Sequence, residues 1–79
     1  MMLTYKLNKT EGDLILYYYY PEGNGAVGTV SINTETGEAA VVKASKDDFG
    51  NYFAFKLIKR LKDFFEDKNY RQDGIVAWY

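Results

Sequence analysis

The chain has 79 residues, of which 47% are hydrophobic and 27% are charged. This composition excludes a disordered polypeptide, because it supplies enough apolar side chains to form a hydrophobic core. Its formal net charge of -1 gives no long-range attraction to phosphate backbones or anionic lipids. The sequence contains no cysteine and no histidine, which excludes disulfides, zinc–thiolate sites and the most common general base.

The N-terminal third predicts two strands joined by a tight turn. Leu3, Tyr5 and Leu7 alternate with polar residues, and this period of two predicts a first strand over residues 2–9. Gly12 supplies the turn that follows. Residues 14–20 form a continuous apolar run with four consecutive tyrosines, which favours a second, central strand.

Two further strands are predicted over residues 26–33 and 38–44. Pro21 separates them from the second strand, because proline cannot donate to a sheet ladder. Gly28 lies inside the third strand and indicates a bulge or the close approach of another side chain. Gly37 falls at the position of a hairpin loop that favours a left-handed backbone. The sequence therefore predicts a four-stranded antiparallel meander.

An amphipathic helix is predicted over residues 46–68. Ser45 and Asp48 have the spacing of a capping box, and Ala44 and Phe49 occupy the positions of a hydrophobic staple. The apolar residues follow the spacing of one helical stripe: Ala54, Leu57, Ile58, Leu61 and Phe65, flanked by Phe53 and Phe64.

A short fifth strand is predicted over residues 75–79, in which Trp78 is expected to anchor the core. It could pair antiparallel with the first strand or parallel with the fourth. We expect the first alternative, which gives the strand order 5-1-2-3-4. The predicted fold is thus a single α+β domain over residues 1–79: a four-stranded meander, one helix packed on one face, and a fifth strand (ββββαβ).

The two faces of this sheet differ in what covers them. We expect the helix to cover the face that includes Leu3, Tyr5, Leu7, Leu14, Leu16, Tyr18, Val30, Ile32, Ala40 and Val42. The opposite face is then more apolar than an ordinary solvated surface. Its predicted apolar members form a candidate interaction surface, which consists of Ile15, Tyr17, Tyr19, Val27 and Val41.

No catalytic, metal or cofactor motif appears in the chain. Glycine-rich phosphate loops, the HExxH motif and EF-hand loops are missing, and the Gly23–Gly25 segment is too short to cradle a phosphate. Asp47 and Asp48 are explained as first-turn residues that interact with the helix dipole. We therefore predict that the protein is not an enzyme and needs no cofactor or metal. A small ligand between helix and sheet stays possible but is not specified.

The sequence does not specify a function, and its strongest indication is the abundance of aromatic residues, at 18% of the chain. Because tyrosine and tryptophan are enriched at interfaces, we expect a small interaction protein that binds itself, as a homodimer, or a protein partner. The alternative is a nucleic-acid-binding module with a tyrosine-bearing sheet, where Lys6 and Lys43 contact phosphate. The net charge disfavours it. The lack of a membrane run or signal segment predicts a cytoplasmic protein without membrane contact.

Overall fold

The computed structural model describes all residues, Met1–Tyr79, and contains one five-stranded antiparallel sheet with one helix packed across it. The elements in chain order are β1 (Met2–Glu11), β2 (Leu14–Pro21), β3 (Gly28–Asn33), β4 (Ala39–Lys43), a 3₁₀ turn (Phe49–Asn51), α1 (Tyr52–Asp67) and β5 (Asp73–Ala77). This architecture confirms the predicted ββββαβ fold.

The strand order is β4-β3-β2-β1-β5, as the sequence predicted. β5 pairs antiparallel with β1, so the first of the two alternatives for the last strand is confirmed. The predicted turn glycines, Gly12 and Gly37, both have a positive φ. In the hairpin between β3 and β4, Oδ1 of Asn33 accepts hydrogen bonds from the backbone N–H groups of Glu35 and Thr36 and holds the loop in place.

The core lies between α1 and one face of the sheet, which we call the inner face. It consists of Leu3, Tyr5, Ile15, Tyr17, Tyr19, Val30, Ile32, Phe53, Ala54, Leu57, Leu61, Phe64 and Val76. The predicted helical stripe is largely confirmed, because its members are buried or half-buried. The opposite face of the sheet, which we call the outer face, is not covered by any element.

The helix begins at Tyr52, six residues later than predicted. Gly50 and Asn51 have φ values of 67° and 60°, and these left-handed conformations interrupt the backbone before the first helical turn. The predicted capping box and staple are therefore wrong. Asp48 is extended, and Phe49 is 87% exposed instead of packing on the helix.

Asp48 nevertheless caps the helix from outside it. Its Oδ1 accepts a hydrogen bond from the Phe53 N–H at 2.8 Å, and its Oδ2 accepts one from the Ala54 N–H at 2.9 Å. These are two of the N–H groups that have no partner inside a helix. A carboxylate at this end also interacts favourably with the helix dipole.

Gly28 is the point where β3 passes directly beneath the Tyr19 ring. A Cβ atom at this position would overlap Cε1 and Cζ of Tyr19 and would lie 2.8 Å from the Ser45 nitrogen. The predicted close approach is confirmed, and the absence of a side chain is what lets the Tyr19 hydroxyl reach past β3.

The contact between Gly28 and the Tyr19 ring leaves no room for a side chain at position 28. We expect Gly28→Ala to lower the free energy of unfolding by roughly 1–3 kcal/mol, because the added methyl group displaces a fully buried ring. Urea denaturation followed by circular dichroism measures the change. Gly12→Asn is the control, because Gly12 has open space around it and asparagine tolerates its left-handed backbone. Equal stability of the two variants would contradict the prediction.

Candidate functional site

The structure places the predicted interaction surface mostly inside the protein. Ile15 is buried, and Tyr17 and Tyr19 are fully buried beneath α1. Val41 is half-buried and packs against the same core, and Val27 alone is exposed, at 44%. The predicted face assignment is therefore wrong for these residues, and β2 is turned over relative to the expectation. Leu14, Leu16 and Tyr18 lie on the outer face instead of the inner one.

Pairing with the neighbouring strands determines which face of β2 is buried. Tyr19 lies opposite Tyr5, and Tyr17 lies opposite both Leu7 and Val30, so these residues share the inner face. β2 has no alternation of polar and apolar residues from which the orientation could have been predicted. Ala40, which was also assigned to the inner face, lies opposite the outward-facing Ser31 and is exposed.

β4 is also turned over relative to its predicted pattern, and its register with β3 contains a β-bulge. The register between β3 and β4 shifts between Thr29 and Val30, and Val42 is the additional residue on β4. Val42 is 56% exposed rather than packed beneath the helix, because it follows the inward-facing Val41 and successive residues of a strand point to opposite faces.

The Tyr19 hydroxyl lies at the centre of a buried hydrogen-bond network. It donates to Oδ2 of Asp48 at 2.8 Å and accepts from the Ser45 N–H at 3.0 Å. Ser45 in turn donates through Oγ to the Ala26 carbonyl at 2.6 Å. Every polar group of this network has a partner within the protein, so the network connects β2, the segment before α1 and the segment before β3. Its chemistry is structural.

The other buried tyrosines differ in how their hydroxyls are satisfied. The Tyr17 hydroxyl donates to the Arg71 carbonyl at 2.7 Å, and its ring meets Tyr5 edge-on at a centroid distance of 5.8 Å. The hydroxyl of Tyr70 is buried and has no hydrogen-bond partner. Burial is the largest cause that raises the pKa of each of these phenols above 10, and it raises the pKa of Tyr19 to about 12.

The outer face is the aromatic and apolar surface that the protein leaves open. Its centre is formed by Leu16, Tyr18 and Tyr20 of β2, which are half-buried between their cross-strand neighbours. Ile75, on the edge strand β5, is 59% exposed. The aromatic side chains on the open face of the sheet are therefore Tyr18 and Tyr20 and not Tyr17 and Tyr19. The unbroken apolar run from Leu14 to Tyr20 was the sequence feature that could have indicated them.

Charged residues lie on this face in one cross-strand row. The register brings together, from β4 to β5, Lys43, Thr29, Tyr18, Lys6 and Asp73. Residues directly opposite each other on neighbouring strands have Cβ atoms about 5 Å apart. The row therefore has a cation at the β4 edge, a carboxylate at the β5 edge, and a tyrosine at its centre.

Two shallow grooves lie along α1, on the side of β5 and of the segment that precedes it. One is lined by Lys56, Lys59, Arg60, Asp63, Val76, Ala77 and Trp78, and the other by Arg60, Asp63, Phe64, Asp67, Asn69 and Arg71. Trp78 is half-buried, and its ring packs on Phe53 at a centroid distance of 5.4 Å. No group of three or more carboxylates comes together anywhere in the structure as a metal site would require.

Comparison with known proteins identifies no family or relative of this chain. No family model, no curated protein and no solved structure matches the chain. The single long helix, α1, is too short and too polar to cross a bilayer.

The raised pKa values predict a loss of stability at alkaline pH. Phenols in the unfolded chain titrate near 10, whereas that of Tyr19 in the folded protein titrates near 12. Below pH 10 both states hold the proton and the contribution to stability is fully present. Between pH 10 and 12 the unfolded state binds fewer protons, so the free energy of unfolding falls. Urea denaturation at pH 8, 10 and 11.5 tests this, and a constant value would contradict it.

A pair of hydroxyl deletions separates satisfied from unsatisfied tyrosines. We expect Tyr19→Phe to destabilise the protein by roughly 1–3 kcal/mol, because it removes the hydrogen-bond acceptor of the Ser45 N–H and one hydrogen-bond donor to the Asp48 carboxylate. Tyr70→Phe is the matched control, since its hydroxyl makes no hydrogen bond, and it is expected to be neutral or stabilising. Thermal unfolding compares the two, and the reverse order of stability would refute this interpretation.

Proposed function

We propose that this protein is a non-catalytic interaction protein that associates with a second copy of itself through the outer face of the sheet. The observation that supports this is the position of α1, which covers one face only. The other face leaves apolar and tyrosine side chains of β2, β4 and β5 accessible, whereas β3 contributes the polar residues Thr29, Ser31 and Asn33. Tyrosine suits such a surface because it combines a large apolar ring with a hydroxyl that hydrogen-bonds in water or in an interface.

The charges of the outer face favour a second copy as the partner. A two-fold axis parallel to β2, running between two facing sheets, stacks β4 of one copy over β5 of the other. It then stacks Lys43 of one copy over Asp73 of the other, and the reverse. Tyr18 lies near the axis and meets its own counterpart, while Lys6 meets Thr29. The face is thus complementary to itself in this orientation.

The area of the outer face sets the expected affinity of the dimer. Five strands about 4.8 Å apart and about six residues long form a surface of roughly 20 by 20 Å. Two such faces remove roughly 800 Å² of projected area, which is below the roughly 1,200 Å² of a standard specific interface and in the range of weak, transient contacts. We therefore expect a reversible dimer with Kd in the micromolar range, without strong repulsion because the net charge is only -1.

Binding of single-stranded nucleic acid is the second candidate, and the cross-strand row is the observation that favours it. Lys6 and Lys43 flank Tyr18, so a base stacked on the ring would have a cation on either side for its phosphates. Two lysines on a chain of net negative charge supply little electrostatic affinity, which is why this candidate ranks second. Fluorescence anisotropy with a labelled oligothymidine distinguishes it from self-association.

A charge-exchange experiment tests the proposed dimer. We expect Lys43→Asp and Asp73→Lys each to weaken dimerisation about fivefold, because each creates two like-charge contacts across the symmetric interface. The double variant restores the opposite charges in exchanged positions and is expected to recover the wild-type Kd. Sedimentation equilibrium over a wide concentration range measures all four proteins.

Tyr18→Ser should abolish the dimer, because it removes the central ring of the interface. Phe55→Ser is its control, since Phe55 is equally aromatic but lies exposed on the helix, away from the outer face. A wild-type protein that stays monomeric at millimolar concentration would refute the proposal, as would a double charge variant no better than either single one.

A further inference from the structure

The edge strand β5 has one side open to solvent. It pairs only with β1. Two hydrogen bonds extend the ladder beyond the ends of the strand: the Trp78 N–H donates to the Met1 carbonyl, and the Leu7 N–H donates to the Gln72 carbonyl. The alternation of an antiparallel ladder therefore directs the backbone groups of positions 74 and 76 toward β1. The N–H and C=O groups of positions 73, 75 and 77 point to the open side, where nothing in the protein binds them.

The opposite edge of the sheet is less suitable for pairing. β4 is also five residues long, but the bulge at Val42 breaks the regular spacing of its backbone groups. β5 has a regular register with β1 over its whole length. An additional strand would therefore find an undistorted ladder only at β5.

A basic groove runs beside this open edge, on the side of the sheet that faces α1. It has a volume of about 230 Å³, and its lining includes Lys56, Lys59 and Arg60 but only one carboxylate, Asp63. None of these three cations forms a salt bridge, because the one ion pair within 4.0 Å in the protein joins Lys9 to Glu11. Three cations beside one carboxylate give this groove an excess of positive charge in a chain of net negative charge, and this favours an anionic partner.

We propose that β5 and the basic groove together bind an extended peptide segment with acidic side chains at alternating positions. The segment adds to the sheet as a sixth strand and hydrogen-bonds to the free backbone groups at positions 73, 75 and 77. Alternate side chains then lie on the side of Val76, next to Lys59 and Arg60, where Asp or Glu forms ion pairs. The intervening side chains lie beside Ile75 on the outer side, where aliphatic residues bury its exposed surface.

This inference goes beyond the proposed self-association, because it depends on the backbone edge of β5 and on the helix side of the sheet and shares only Ile75 with the outer face. The two proposals fail independently. Lys59 and Arg60 are remote from the outer face, and the charge exchange at Lys43 tests nothing in the groove. The peptide experiment is performed on the wild type and, in parallel, on the Tyr18→Ser variant, which is expected not to dimerise, so that the contribution of dimerisation is separated.

Titration of the ¹⁵N-labelled full chain with the blocked peptide Glu-Val-Glu-Val-Glu-Thr provides the test. We expect saturable shifts of the backbone amides at positions 73, 75 and 77 and of the Trp78 indole N–H, and slower hydrogen exchange of the three amides. Binding should weaken as salt is added. The peptide in which lysine replaces each glutamate is the matched control and is expected not to bind.

Two variants locate the binding determinants. Ile75→Pro removes one outward N–H without removing a bond to β1, and it should weaken binding about tenfold while the fold is retained. Lys59→Glu/Arg60→Glu should weaken it about tenfold or more. Lys9→Glu/Lys46→Glu changes the net charge equally and should leave binding unchanged.

Several outcomes would overturn the proposal. They are absence of acidic-peptide binding, equal binding of the lysine peptide, shifts confined to the outer face, and an Ile75→Pro variant that folds and binds like the wild type. Preferential binding of an oligothymidine in the groove would also overturn it, because the partner would then be a nucleic acid and not a peptide.

Discussion

The structure depends on one buried carboxylate, that of Asp48. It accepts hydrogen bonds from the Tyr19 hydroxyl and from the N–H groups of Phe53 and Ala54, so it joins the central strand to the first turn of the helix. A buried carboxylate needs such partners, because an unpaired charge in the core would be strongly destabilising. The position of the helix and the orientation of β2 are therefore linked. Turning β2 over would remove Tyr19 from the network and leave Asp48 without its side-chain donor.

Most of the architecture could be predicted from short-range patterns. The alternation in β1, the glycines at turns and the helical stripe were sufficient for the element order and the strand order. The start of the helix was not predictable in the same way. Ser45 and Asp48 have the spacing of a capping box, but Gly50 and Asn51 take left-handed conformations that break the chain there. Asp48 instead accepts a hydrogen bond from the distant Tyr19 hydroxyl and from the first turn of a helix that begins at Tyr52, and these long-range contacts are not visible in the local spacing.

The candidate surface illustrates a different limit of sequence reasoning. Every residue from Leu14 to Tyr20 is apolar or aromatic, so the pattern predicts a strand but does not distinguish its two faces. The distinction comes from tertiary contacts. The register with β1 and β3 turns Tyr17 and Tyr19 toward α1, where their hydroxyls donate to the Arg71 carbonyl and to Asp48, while Tyr18 and Tyr20 lie on the open side. The accessible aromatic side chains of β2 are thus Tyr18 and Tyr20, and not the predicted Tyr17 and Tyr19.

The position of Trp78 has a practical consequence. It is the only tryptophan of the chain, and its indole N–H donates to the Tyr52 hydroxyl at 3.1 Å while the Lys56 ammonium lies 5.3 Å from its ring. The fluorophore therefore packs on Phe53 of the core on one side and borders a phenol and a cation at the end of the basic groove on the other. Its emission will report the polarity and charge of that groove, so the protein carries an intrinsic optical sensor of what occupies it.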